Sequence, residues 1–262
     1  MAVKITTLDE AIEDSGIRIM LYGPSGVGKT FMTSTLPGSI LLVNAEGGLL
    51  SLKKAPQEVK DRITVSTIAG MEDIGEVYNT MSDPECPYDV VVFDSITEIA
   101  EKLLAVGKSA AKDPRHAYGT MADDMIGLIK AFRDMPGKKT VIMIAKQKRF
   151  TDDYAGITKY MPDYPGRVLT QGSPYLFDEV FAMRILKDAE GEEHRALQTA
   201  MDIQFDAKDR SGNLDRFEPA DWSVVFKKIQ DSADSPESKP ETNEQKPDEL
   251  KEPNNGEAAW SV

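Results

Sequence analysis

The sequence is poor in cysteine, histidine and positive charge, and it has no long apolar run. A single cysteine, Cys86, among 262 residues leaves no partner for an internal disulfide, as suits a reducing compartment. The two histidines, His116 and His194, stand far apart and lack the spacing of a zinc site. No apolar stretch approaches the roughly 20 residues of a membrane-spanning helix. The opening MAVKITTLDEAIEDSG has no apolar h-region, so no secretory signal is expected. Lysine and arginine number 31 against 44 aspartates and glutamates, a formal net charge of −13. That balance argues against a simple nucleic-acid coat protein, because phosphate binding is driven by Lys and Arg.

What is present is the composition of a soluble globular protein, 40% hydrophobic and 29% charged, long enough to bury a core without staples. The charge is uneven. Residues 231–262 carry nine acids and three lysines, a net of −6, which leaves −7 for the preceding 230 residues. This stretch is rich in Pro, Glu, Ser, Asn and Lys and cannot bury enough apolar surface to offset chain entropy. The expected organisation is one folded domain over residues 1–230 and a disordered acidic tail over 231–262. An acidic tail can compete with DNA for a basic surface, so overall charge does not settle the partner. Ala258, Ala259, Trp260 and Val262 form an apolar tip, either a stray end or a short motif that docks in a partner's groove.

Before the tail, apolar runs at 17–21, 39–44, 63–68, 88–94 and 139–145 predict strands. Their continuity, without polar alternation, fits strands buried on both faces of a parallel sheet. Between them, Ile96, Ile99, Leu103 and Val106 are spaced as one helical stripe, and Tyr118, Met121, Met125, Leu128 and Phe132 as another. Strand–helix alternation predicts a doubly wound α/β sheet. After residue 178, DEVFAMRIL and RALQTAMDIQFDA flank AEGEEH, the pattern of an antiparallel hairpin added at one edge.

Gly23-Pro24-Ser25-Gly26-Val27-Gly28-Lys29-Thr30 matches G-x-x-x-x-G-K-[ST] at every defined position, between an apolar strand and a predicted helix. Glycines let successive backbone N–H groups turn inward around phosphate oxygens, and a helix N-terminus adds partial positive charge. Residues Gly23 to Phe31 are therefore the expected nucleotide-binding segment. Lys29 is the residue to reach the β- and γ-phosphates, and the Thr30 hydroxyl a ligand of Mg²⁺. Asp94, ending VVVFD at a strand tip, is the expected second metal residue. The N-K-x-D base reader is absent, and no D-x-x-G follows the second acidic strand, which favours ATP over GTP. The residue after Asp94 is Ser95, not the glutamate of many ATPases, so the water-activating base must come from elsewhere. Glu46, just past SILLVN, is the candidate.

In order and spacing, IRIMLYGPSGVGKT, LLVNAEGG, VVVFDS and VIMIAKQKR resemble the RecA-type ATPase core. The resemblance implies a RecA-like core with a mostly parallel sheet and an antiparallel edge hairpin. It makes Glu46 the catalytic glutamate and Gln147 the γ-phosphate sensor that leads into a DNA-binding loop. The AEGG segment, the F-D-E-V strand near residue 177 and the AKDRSG segment near residue 207 are similar to phage-encoded Sak-type single-strand annealing proteins, over roughly residues 5–228. RecA-type sites are completed between subunits, so the resemblance implies Lys208 and Arg210 as cations that reach a neighbour's γ-phosphate.

Two segments are candidate DNA loops. Residues 107–119 carry Lys112 and Arg115. Residues 148–167 interleave Lys148, Arg149, Lys159 and Arg167 with Phe150, Tyr154 and Tyr160, cations for phosphates and rings for bases. The bland alternative for the second segment is a surface hairpin whose tyrosines pack locally. The expectation is an ATP- and Mg²⁺-dependent, single-stranded-DNA-binding ATPase that assembles head-to-tail into a homo-oligomer and promotes annealing, in the cytoplasm of a host cell. Its tail would meet a partner such as a single-strand-binding protein, and no membrane is involved. The rivals are a phage ATPase acting on proteins without DNA and a small-molecule kinase.

Overall fold

The computed structural model describes residues 5–110, 113–152 and 156–231. A short capped helix, α1 (Leu8–Glu13), leads into β1 (Arg18–Gly23), whose six residues are all buried. The phosphate-loop segment follows, then a single-turn helix α2 (Lys29–Met32). Next come β2 (Ile40–Asn44), α3 (Gln57–Lys60), β3 (Ile63–Thr67), α4 (Met71–Ser82), β4 (Val90–Asp94), α5 (Ile96–Ala110) and α6 (Pro114–Arg133). The second half holds β5 (Thr140–Asp152), β6 (Ile157–Pro162), α7 (Arg167–Gly172), β7 (Glu179–Lys187), β8 (Glu193–Gln198), β9 (Phe217–Pro219) and α8 (Trp222–Asp231).

The strands form one sheet in the order β3-β2-β4-β5-β1-β7-β8-β9, with β6 paired to β5 alone. From β3 to β7 every pairing is parallel, and β7–β8 and β8–β9 are antiparallel. This is the expected α/β core, a mostly parallel sheet with an antiparallel hairpin at one edge. Side-chain alternation sends the apolar runs to two cores. Val91, Phe93, Val141 and Met143 meet α5 and α6 through Ile99, Met121, Met125 and Phe132. Leu42, Val92, Ile142 and Ile144 meet Met32, Leu36, Trp222 and Phe226 on the opposite face. Burial on both faces is why these runs lack polar alternation.

Two expected loops are regular structure. Residues 107–119 belong mostly to helices: α5 runs to Ala110, and α6 starts at Pro114 after Asp113, whose side chain accepts the Arg115 N–H at 2.9 Å. A capping aspartate followed by proline in the first turn is a helix-start signal strong enough to override a Gly- and Lys-rich reading. The two helical stripes are largely buried, but their edges differ: Leu104 lies inside, while Val106 and Tyr118 are exposed. In the second segment β5 runs past the sheet to Asp152 and β6, from Ile157, returns against it, Phe150 opposite Lys159, which is the surface hairpin of the alternative reading. Among the described residues no helix is long and apolar enough to cross a membrane.

Candidate active site

The parallel register sets the site. Gly23 at the end of β1 lies opposite Lys146 of β5, and Asp94 at the end of β4 lies opposite Ile144 of β5 and Asn44 of β2. The carboxyl ends of β1, β2 and β4 therefore reach one edge together, beside the point where β5 runs on past the sheet, and open α/β sheets bind ligands at such an edge. A cavity of about 520 Å³ opens there, lined by the loop residues Gly23 to Gly26 and Gly28 to Phe31, and by Glu46, Asp94, Lys146, Gln147 and Asp163 among others. The phosphate-loop residues, Glu46, Asp94 and Gln147, singled out from distant parts of the sequence, thus meet in one place.

Gly28 adopts φ +109°, and a Cβ there would lie 3.1 Å from Arg195 Nε. Only glycine suits both demands. The Lys29 ammonium folds back on the loop, donating to the Gly23 and Pro24 carbonyls at 2.8 and 2.9 Å. Burial lowers its pKa, while Asp94 and Glu46 pull it up and Lys146 pushes it down. Thr30 Oγ1 donates to Asp94 Oδ2 at 2.5 Å across the width of β5. Burial raises the Asp94 pKa, opposed by the Thr30 hydrogen bond. A buried carboxylate whose partner is a neutral hydroxyl fits a divalent cation well. Among the described residues no group of three or more His, Cys, Asp or Glu side chains is arranged to hold a metal. A cation at Thr30 and Asp94 therefore needs phosphate oxygens and water to complete its shell, as Mg²⁺ does in nucleotide sites.

Glu46 is exposed to the cavity just past β2, and its backbone N–H and that of Ala45 donate to the Asp94 carbonyl at 3.3 and 2.8 Å. These bonds tie the glutamate's loop to the tip that carries Asp94. Gln147 Oε1 is buried without a hydrogen-bond partner, an arrangement that costs free energy until a donor arrives.

Lys208 and Arg210 are not at this cavity in their own subunit. Lys208 pairs with Val180, level with Met20 in mid-β1. Its ammonium donates to the carbonyls of Pro174, at 2.9 Å, and Phe177. Arg210 pairs with Asp178 at 3.1 Å. Of the candidate DNA residues, Arg149, Phe150, Lys159 and Arg167 are exposed. Lys148 pairs with Asp163 at 3.3 Å, Arg115 with Asp113 at 3.2 Å, and the Tyr160 ring stacks on Phe205 at 4.6 Å. Tyr160 therefore packs locally and offers no free platform for a base. Lys112, Tyr154 and the tail after residue 231 lie outside the described residues.

Sequence reasoning missed two charged lining residues, Lys146 and Asp163, and the small residues Gly48 and Ser51. Lys146 Nζ sits between Glu98 Oε2 at 3.0 Å and Glu101 Oε2 at 2.9 Å. Burial works to lower its pKa, but Glu101 and Glu98 outweigh that and hold it up. The signal was available in the i, i+3 carboxylates on a predicted helix and in a lysine beside Gln147, but only the register joins them.

A family model described as an AAA domain matches residues 15–211. A search of curated proteins finds no match. Among solved structures, the KaiC-like protein PH0186 from the hyperthermophilic archaeon Pyrococcus horikoshii OT3 is similar over 70% of this chain and 77% of that chain, with a TM-score of 0.43 and 14% identity.

Proposed function

The chain belongs to the AAA domain family, and from that premise we propose that it is an ATP- and Mg²⁺-dependent hydrolase that works on single-stranded DNA, in keeping with its resemblance to phage Sak-type annealing proteins. The observation that carries the hydrolase reading is the contact between Thr30 and Asp94 at 2.5 Å, with Glu46 and the unpartnered Gln147 oxygen around the same cavity.

In this reading the backbone of the Gly23–Gly28 loop cradles the phosphates. Lys29 exchanges the Gly23 and Pro24 carbonyls for phosphate oxygens. Thr30 and Asp94 would hold Mg²⁺, which would neutralise phosphate charge when bound. Glu46 takes a proton from the attacking water. The water oxygen bonds to the γ-phosphorus as the bond to the β–γ bridging oxygen breaks, and that electron pair leaves with ADP. Gln147 can donate from Nε2 to a γ-phosphate oxygen, while its unpartnered Oε1 can accept an O–H of the attacking water.

Support for DNA comes from the hairpin that begins at Gln147. Arg149, Phe150, Lys159 and Arg167 are exposed on it or just beyond it. Asp163 lines the phosphate cavity and also holds Lys148. A γ-phosphate that disturbs Asp163 also disturbs a hairpin cation, which couples nucleotide to DNA affinity.

The test is ATP hydrolysis by the purified protein with and without single-stranded DNA, at low and moderate salt. Hydrolysis stimulated by DNA, with the stimulation fading as salt rises, is the expected result. Glu46→Ala should bind ATP without turning it over. Turnover indifferent to DNA at every salt would shift the substrate to a protein, and an absence of nucleotide binding would end the hydrolase reading itself.

A further inference from the structure

The cavity holds a second lysine for which the phosphate-loop pattern has no use. Lys146 stands in the middle of β5, where that strand leaves the parallel sheet, directly opposite Gly23 in the register, and lines the cavity beside Gln147 and Asp94. That is the end of the cavity where Thr30 and Asp94 meet, and so the γ-phosphate end. Its field reaches Lys29, whose pKa it helps to depress. The cations expected to complete the site from a neighbour are engaged elsewhere: Lys208 on two carbonyls and Arg210 on Asp178.

We propose that Lys146 is a catalytic residue that stabilises the γ-phosphate from within its own subunit. This rests on the ATPase reading above. As water bonds to the γ-phosphorus and the bridging bond breaks, negative charge spreads over the γ-oxygens and onto the leaving ADP oxygen. A cation fixed beside them lowers the barrier, whether it comes from a neighbour or from the same chain. Without nucleotide the ammonium is held by Glu98 and Glu101 of α5. These pairs are part-exposed, with side-chain exposures of 35%, 27% and 44%, so each is weak. A triphosphate presents more negative charge in a more enclosed place and takes the ammonium over.

The exchange loosens α5 where it meets the start of the hairpin. Thr97 Oγ1 accepts the Lys146 N–H at 3.0 Å and donates to the Asp163 carbonyl at 2.7 Å. The same few residues thus link the γ-phosphate, α5 and the segment that follows β6.

The experiment compares affinity for ADP with affinity for ADP plus aluminium fluoride and Mg²⁺, a mimic of the transferring phosphoryl group, alongside steady-state hydrolysis. The full chain, Lys146→Ala, Lys146→Arg and the double variant Glu98→Gln/Glu101→Gln are assayed together. Lys146→Ala should lower kcat by about 10²–10³-fold, the range for loss of one group that stabilises the transition state. It should bind ADP as the parent does and lose most of the tightening that aluminium fluoride brings. Lys146→Arg should restore part of both. The double variant, which breaks the same ion pairs but leaves the ammonium, should keep both hydrolysis and tightening. If the double variant loses as much as Lys146→Ala, or if Lys146→Ala still tightens on aluminium fluoride, Lys146 is a structural tie and the proposal fails. A parent protein that binds no ADP or ATP overturns the underlying reading, an outcome distinct from either.

Discussion

At the scale of single residues, Glu179 is a buried acid without an obvious role in catalysis. It is 2% exposed, and its Oε1 accepts the Arg210 and Ser211 N–H groups at 3.2 and 3.3 Å. Burial first, then the neighbouring Asp209, pushes its pKa up to about 8 from 4.5. Asp209 accepts the Gly212 and Leu214 N–H groups at 3.1 Å each, and the raised pKa of Glu179 keeps its carboxyl protonated below about 8. Between about 4.5 and 8 the folded chain therefore holds a proton that the unfolded chain has released. Stability contributed by this site is complete below that window and is lost as pH rises through it. Glu179→Gln imitates the protonated form. It should melt with the parent at the acid end and above the parent once pH exceeds 8, as read by thermal unfolding across the window. Parallel melting curves would mean that Glu179 does not hold the proton. The F-D-E-V segment marked this strand as distinctive, but a pKa raised by burial and then by Asp209, thirty residues on, exists only once the chain is folded. The phosphate loop is the opposite case. Its residue types follow a fixed spacing, so Gly23 to Thr30 and Asp94 can be singled out in the sequence alone, and the fold brings most of them to one cavity.

At the scale of elements, the strands were legible and several connections were not. Burial on both faces leaves a mark in sequence, an unbroken apolar run, and β1, β2 and β4 fall on theirs; β3 forms where its run predicts a strand, but as the edge of the sheet it is largely exposed rather than buried on both faces. The hairpin of β5 and β6 leaves no such mark, because its faces mix Lys148, Phe150, Lys159 and Met161, and polar content alone cannot tell a projecting strand from a loop. The last helix was also hidden, since its cue is a pair of aromatics. Trp222 is buried against Phe181 and Phe226, with ring centroids 6.1 and 5.6 Å apart. Lys228 joins buried Glu218 of β9 at 2.8 Å. This helix seals the face of the sheet that carries the phosphate-loop helix, and it ends where the acidic segment begins. We therefore expect Trp222→Ala to lower stability by about 3–5 kcal/mol, the usual loss for emptying a buried aromatic site, read as a drop in denaturant midpoint. A chain ended after Asp231 should unfold at the parent's midpoint. If that shortened chain is as destabilised as Trp222→Ala, the folded unit extends into residues 232–262 and the proposed boundary is misplaced.

At the scale of the whole molecule, the question is whether chemistry and assembly are the same event. The phosphate loop sits at the strand tips, whereas Arg210 lies beside Asp178 and Glu179 near the other end of β7. Contacts that join one end of a subunit to the other end of the next are heterologous and build rings or open filaments. Such contacts would bring Arg210 toward a neighbour's nucleotide. Lys146 makes that delivery unnecessary for hydrolysis, because it already lines the cavity and can turn its ammonium from Glu98 and Glu101 to the phosphate. Assembly along DNA would then serve to cover the strand. The two arrangements predict opposite results from one variant. With the cation supplied within the subunit, Arg210→Ala hydrolyses ATP at close to the parent rate, and specific activity stays constant on dilution. With the cation supplied by the neighbour, Arg210→Ala alone is inactive, dilution silences the parent, and mixing Arg210→Ala with Lys29→Ala restores turnover, because each supplies what the other lacks. Recovery in that mixture would return the completing charge to the subunit interface and make oligomerisation a condition of catalysis.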